Sequence, residues 1–444
     1  MNVEQTALAT FRQALEQLAD KAPFDDLTDD QRLARANSAF LAGLDRRKAV
    51  DLDTCIHCGM CAESCHFYIA TGNERYTPAY KVEPLRRFYR REMSPMRMLY
   101  RPFTRKVGID DLRAWQELVF DACTGCGRCD MMCPMGINIS EGINLMRQGL
   151  AAAGLVPAEL AALQYEQREH DTLFGIGGDD LRTLVTKLAA NGVDIPLDKA
   201  SAEVLLLTTA VEVRLFPDAV TAYAKILQRA GADWTMSTDA FEATNLGLIS
   251  GDRRAMRTAV SRIRARVKAL GARTIVVPES GHAYQALRWE AADELGEELP
   301  CAVMAIAEFV ASRVHSGALT LKPATDIRSV AYHDPCRLAR QGGVFDEPRA
   351  LLEAVGLEVR ETASNRRENL CCGGGCGEYA IGRGATIRQR AFELKRHELD
   401  ATYADAVVTG CNNCRLNLLV GAHQSGWDKP VVSLAETIAG NLAE

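Results

Sequence analysis

The sequence predicts a multidomain α + α/β protein. A helical domain comes first, followed by two pseudo-symmetric α/β domains with parallel sheets. Three observations lead there. No clear strand pattern precedes about residue 203. Beyond residue 200, buried-strand runs alternate with helical stretches, the order of parallel βαβ units. That order occurs twice, about 125 residues apart. The expected divisions are a helical arm over 1–48, a helical domain over 49–165, a connector over 166–200, and α/β domains over 201–322 and 323–444.

In order along the chain, "MNVEQTALATFRQALEQL" has the spacing of an amphipathic helix and does not resemble a secretory signal. Thr28 and Gln31 have the spacing of a capping box ahead of a helix. "SEGINLMRQGLAAAGLV" carries an apolar stripe at helical spacing. In the first α/β unit, "EVLLLTTA" is a buried-strand run, "AVTAYAKILQRAGADW" a helix with a glycine stop, and "ARTIVVPESGHAYQAL" a strand leading into a helix. "SVAYHDPC", "PRALLEAVGLEV" and "YADAVVTGCNNCRLNLL" repeat the order. Set in register, Ala210 falls opposite Cys336. Glu279 and His282 fall opposite Cys411 and Cys414, and "EATNLGL" falls opposite "NLCCGGG". The first copy therefore lacks the second copy's cysteines. Glu279 and His282 read either as a vestigial metal pair or as residues lining the facing site.

The 444 residues are 47% hydrophobic and 25% charged, an ordinary globular balance. A net charge of -6 gives no bulk attraction to nucleic acid. No apolar run nears the roughly 18 residues of a membrane span. The expected compartment is the cytoplasm, with peripheral docking on the membrane's inner face through a partner. Fifteen cysteines in such a chain point to metal or redox chemistry rather than disulfides.

"CIHCGMCAESCH" and "CTGCGRCDMMCP" both read C-x2-C-x2-C-x3-C, the bacterial ferredoxin spacing for [4Fe-4S] clusters. Three thiolates spaced this way wrap one cluster, and the fourth serves the other. Cys55, Cys58, Cys61 and Cys133 then hold one cubane, and Cys123, Cys126, Cys129 and Cys65 the other. Zinc would favour two separated C-x2-C pairs. Cys133 is followed by Pro134 as in ferredoxins, whereas Cys65 is followed by His66.

Between these motifs, residues 75–106 carry ten Lys or Arg against two Glu, interleaved with aromatics and methionines. Two readings stand: a docking face for an acidic partner or anionic lipid, or a helical excursion with aromatics packed inward and charges solvated.

The second α/β unit carries Cys336, then Cys371-Cys372-Gly373, then Cys411-x2-Cys414. Five thiolates thus come from three loops at strand ends, where open α/β sheets form their crevices. Adjacent cysteines point apart and can serve different irons, and glycines allow close backbone approach. Four ligands suffice for a cubane, so a fifth suggests an opened, larger or unevenly ligated cluster.

This pattern, with "YHDPCRLAR" at the strand end, resembles the CCG domain of heterodisulfide reductases. A ferredoxin module ahead of a CCG repeat resembles the D-type subunit of that family, and its DsrK-like branch in sulfur metabolism. The resemblance implies that Cys336, Cys371, Cys372, Cys411 and Cys414 hold a noncubane [4Fe-4S] cluster that cleaves or forms a disulfide. It also implies a quinone-reactive cytochrome b-type membrane subunit, or another electron-transfer subunit, as partner. The substrate would be a heterodisulfide or a small protein's disulfide or trisulfide. His333 is placed either to donate a proton or to cap a strand end. Cys376 reads as a shuttling thiol or an inert one, and Cys301 as a core residue. The competing reading is an electron-conduit subunit of a flavin-dependent 2-hydroxyacid or glycerol-3-phosphate dehydrogenase. No G-x-G-x-x-G fingerprint indicates a flavin or NAD site in this chain.

Overall fold

The computed structural model describes residues 26–375 and 377–443. The helix read over the first residues and Cys376 lie outside the described residues. The first strand begins at Val204, and everything described before it is helical or loop. The capping box is present: the Thr28 hydroxyl accepts from the Gln31 amide, and Thr28 N–H donates to Gln31 Oε1 at 2.9 Å. It starts the helix Asp29–Gly43, which buries Ala36 and Phe40. Phe40 meets Phe88 edge-on, with ring centroids 5.2 Å apart. Ile139–Ala152 is the helix read from its apolar stripe, started by Asn138, whose side chain accepts from Glu141 N–H.

The basic segment divides. Its helix Pro78–Glu92 buries Leu85, Phe88 and Tyr89, and with them Lys81 and Arg86. Beyond it, Met96, Met98, Leu99 and Phe103 stand exposed. Inward packing holds for the helix and fails after it.

Two small parallel α/β sheets follow. The first has the order β2-β1-β3-β4, with β1 Val204–Leu206, β2 Trp234–Thr235, β3 Thr274–Val277 and β4 Ala302–Ala305. The second has the order β6-β5-β7-β8, with β5 Ser329–His333, β6 Glu358–Val359, β7 Ala406–Thr409 and β8 Val431–Ser433. Every pairing is parallel. The short central strands are apolar and buried, as strands covered on both faces must be. In each sheet the strand order reverses between the two central strands, which places the crevice at their carboxyl ends.

The two sheets meet at those ends. Asn412, just after β7, donates its backbone N–H to Glu279 O at 2.7 Å. Its side chain donates to Glu212 Oε1 at 2.6 Å. Ala435 N–H donates to Glu279 Oε1 at 2.9 Å. The helical region is strapped to the first sheet's half by buried Arg147, which donates to the carbonyls of Val119, Cys123 and Ile249.

Candidate functional site

The eight N-terminal cysteines sort into two cavities. Cys55, Cys58, Cys61 and Cys133 line one, together with Ala79 and Val82 of the helix Pro78–Glu92. Cys65, Cys123, Cys126 and Cys129 line the other. Burial raises the Cys61 thiol, and Cys55, Cys133 and Cys58 add repulsion. Burial raises the Cys129 thiol well above its ordinary range, and Asp130, Cys126, Cys123 and Cys65 add to it. The crossed grouping is a fold effect. Each motif turns sharply at left-handed glycines, Gly59 in one and Gly125 and Gly127 in the other. Its last cysteine is carried away on the next helical turn.

The second cavity holds a buried cation. Lys81 is 1% exposed, lies 3.4 Å from the Cys65 sulfur and donates to the carbonyl of Ala122. Burial opposes its charge, yet Cys65, Cys123 and Cys129 hold its pKa above the ordinary value. In the sequence Lys81 is one lysine among ten cations, and nothing marks it as internal.

The five remaining motif cysteines form one connected set. Cys336 follows β5, Cys371 and Cys372 sit on the loop after β6, and Cys411 and Cys414 follow β7. Cys371 bonds Cys336 and Cys372, Cys372 bonds Cys414, and Cys414 bonds Cys411. All five are buried, from 1% to 6% exposed. The set also reaches outside its own half: Cys371 bonds Cys126 of the second cavity. It also lies 3.4 Å from the Thr124 hydroxyl. His66, buried after Cys65, acts on Cys126 too, lowering its pKa after the larger effect of Cys371.

The double-cysteine loop is built for close approach. Gly373 has φ +95°, which disfavours any side chain. A Cβ on Gly374 would stand 2.5 Å from the Asn417 side chain, whose amide donates to Cys372 O at 2.6 Å. Arg340 fixes the loop to the helical region, donating to Cys126 O at 2.8 Å and to the carbonyls of Arg367 and Asn369. Lys395, fully buried, donates to Asn369 Oδ1 at 2.9 Å.

A nitrogen of His333 and the sulfurs of Cys372 and Cys414 all lie within 4.8 Å of one another. Burial lowers the His333 pKa, and a bond to Cys372 partly restores it. Glu279 and His282 belong to no group of three or more candidate ligands among the described residues. Glu279 is a buried carboxyl pushed up to about 8 by desolvation. His282 is buried beside Gly281, whose N–H bonds the Cys411 sulfur. Cys301 is half-buried at the start of β4, where burial raises it to about 11.

The donor sets suit iron–sulfur groups. Thirteen cysteines gather in three sets, and five of them are buried together with few cations nearby. Thiols so placed are stable as anions only around a positively charged centre.

Comparison with known proteins agrees. A 4Fe-4S dicluster domain matches residues 51–137, and a cysteine-rich domain matches residues 330–419. The chain is 27% identical to the D-type subunit of the dihydromethanophenazine:CoB–CoM heterodisulfide reductase of Methanosarcina mazei, over 88% of this chain and 94% of that one. It is 25% identical to an Hdr-like menaquinol oxidoreductase iron-sulfur subunit of Archaeoglobus profundus, over 77% and 70%. It is 29% identical to a probable membrane-anchored ferredoxin of Chromohalobacter salexigens, over 72% of this chain and 48% of that protein. The chain carries 4Fe-4S clusters and has the character of an electron-transferring oxidoreductase subunit. Among the described residues, no helix is long and apolar enough to cross a membrane.

Proposed function

Since the chain is a heterodisulfide reductase D-like iron–sulfur protein, we propose that it exchanges electrons between a membrane quinone-linked partner and a disulfide substrate. The observation that carries this is the bond from Cys371 to Cys126, which leaves no gap between the second cavity and the five-cysteine set. In this proposal Cys55, Cys58, Cys61 and Cys133 hold one cubane, and Cys65, Cys123, Cys126 and Cys129 the second. Cys336, Cys371, Cys372, Cys411 and Cys414 hold a noncubane cluster. The proposed division of the chain follows these sets: a helical region with two of them, an α/β half without cysteine ligands, and an α/β half with the third.

Bound there, such clusters pass electrons singly and offer iron to a substrate sulfur, as two-electron S–S cleavage requires. The chain's own residues do the rest. Gly373 and Gly374 let the loop approach closely, and Asn417 and Arg340 hold it still. Burial of all five cysteines keeps water out. His333, neutral at pH 7 because burial lowers its pKa, can carry one proton beside Cys372. The partner is a quinone-reactive membrane subunit, as the relatives' names suggest.

The test is electron paramagnetic resonance on anaerobically purified, oxidised protein, with and without thiols. A thiol-dependent signal that is lost in Cys372→Ser is the expected result. Signals indifferent to every thiol tried would sink disulfide chemistry and leave an electron conduit for another subunit.

A further inference from the structure

Beyond the helix Pro78–Glu92, the chain forms a short helical turn, Arg97–Tyr100, and a 3-10 turn, Arg101–Phe103. Four large apolar side chains face solvent within these eight residues: Met96, 52% exposed, Met98, 78%, Leu99, 63%, and Phe103, 92%. Such density on a surface marks an interaction site. The tip is not loose chain. Arg91 donates to the carbonyls of Arg101 and Thr104, and Arg101 Nε donates back to Arg91 O at 3.2 Å. The Arg90 guanidinium lies 5.6 Å from the Tyr100 ring centre. The scaffold holds the apolar side chains outward.

The same tip concentrates positive charge on a chain of net charge -6. Arg97, Arg101, Arg105 and Lys106 are exposed around it. Arg101 pairs with Glu92 and Arg105 with Asp111. Arg97 and Lys106 have no carboxylate partner among the described residues.

We propose that this tip is a membrane-contact site: Met96, Met98, Leu99 and Phe103 enter the interfacial layer of an anionic bilayer, and Arg97, Arg101, Arg105 and Lys106 meet its phosphates. The chemistry fits lipid better than protein. Eight residues cannot supply the roughly 800 Å² per partner that a standard protein interface buries. A bilayer needs only a few apolar side chains and a collar of cations. The contact also sets orientation. The helix bearing the tip lines the cavity of Cys55, Cys58, Cys61 and Cys133 through Ala79, Val82, Leu85 and Arg86. From Arg86 to its end at Glu92 the helix rises only about 9 Å. The first cysteine set is therefore the membrane-proximal one, where electrons from a membrane partner enter.

The experiment is co-sedimentation of the full chain with protein-free vesicles, either phosphatidylcholine alone or phosphatidylcholine mixed with phosphatidylglycerol. The expected result is binding to the mixed vesicles only, released by salt. Met98→Glu with Phe103→Glu should lower the bound fraction about tenfold or more. Arg97→Ala with Lys106→Ala should weaken it by less. Phe103→Ser, a milder change at a 92% exposed position, serves as a second probe of the apolar contact. No sedimentation, equal binding to neutral vesicles, or wild-type binding by the Glu variant would overturn the proposal. So would binding that appears only once a membrane protein is added. The vesicles hold neither quinone nor disulfide, so no outcome here bears on the disulfide reaction proposed above.

Discussion

Lys81 shows how one buried side chain can set the chemistry around it. Its ammonium is sealed from water against the Cys65 sulfur. A positive charge at that place favours the more negative, reduced state of whatever Cys65, Cys123, Cys126 and Cys129 hold. Lys81→Met removes the charge and keeps most of the volume. The expected outcome is a more negative potential for that centre, by on the order of 60 mV, a tenfold effect for one electron. Redox titration followed by electron paramagnetic resonance reads it, and an unmoved potential would refute the assignment. Glu279 gives a second prediction at this scale. Desolvation lifts its carboxyl from the ordinary 4.5 to about 8. Below pH 4.5 both folded and unfolded forms are protonated, so the shift has no effect. As pH rises towards 8, the unfolded chain releases the proton first and stability falls, by about 1.4 kcal/mol per unit at most. Buried Glu242, pushed up to about 7, acts in the same direction. Glu279→Gln should melt higher than wild type by a margin that widens from pH 5 to pH 8. A constant margin would mean that the carboxyl does not titrate in that window.

At the scale of elements, the loop after β6 carries the most specific geometry. Gly374→Ala would press a methyl group onto Asn417, one of the two groups that fix Cys372 and its loop. The expected outcome is selective: iron content falls by the share of one centre while the signals of the other two stay. Adding Asn417→Ala should restore little, because the bond to Cys372 O goes with it. Full recovery would show that steric relief is all that matters. Much of this was legible in the sequence, since cysteine spacing gave the three thiol sets and strand runs gave both parallel sheets. The capping box at Thr28 was legible too, being a local hydrogen-bond pattern. Residues 75–106 were not, because a run of cations looks the same whether its lysines point outward or, like Lys81, inward. Burial there depends on the helices Asp29–Gly43 and Ile139–Ala152 packing near it, and that is tertiary information. Arg340 and Arg147 escaped notice for the same reason: their partners are backbone carbonyls far along the chain.

For the whole molecule, the arrangement of its parts matters more than any one of them. The two sheets face each other at their carboxyl ends through Asn412, Glu212 and Glu279. Against this pair the helical region lays its second cysteine motif, so that Cys126 meets Cys371. Electron exchange between the two sites depends on that junction staying closed, and Arg340 is its main clamp. One guanidinium there bonds a carbonyl of each side: Cys126 on one, Arg367 and Asn369 on the other. Arg340→Met keeps much of the packing and removes all three bonds. Each thiol set keeps its own residues, so iron content and the separate signals should persist. Transfer from the helical centres to the five-cysteine site should slow by about tenfold or more, because a misplacement near 1 Å can cost up to a hundredfold. Rapid-mixing reduction followed at each signal separates the two steps. Slowed arrival at the last site with unchanged filling of the first two would locate the defect at the junction. Equal rates throughout would mean that Cys126 and Cys371 hold their contact without Arg340, through Thr124 and the packed core around them.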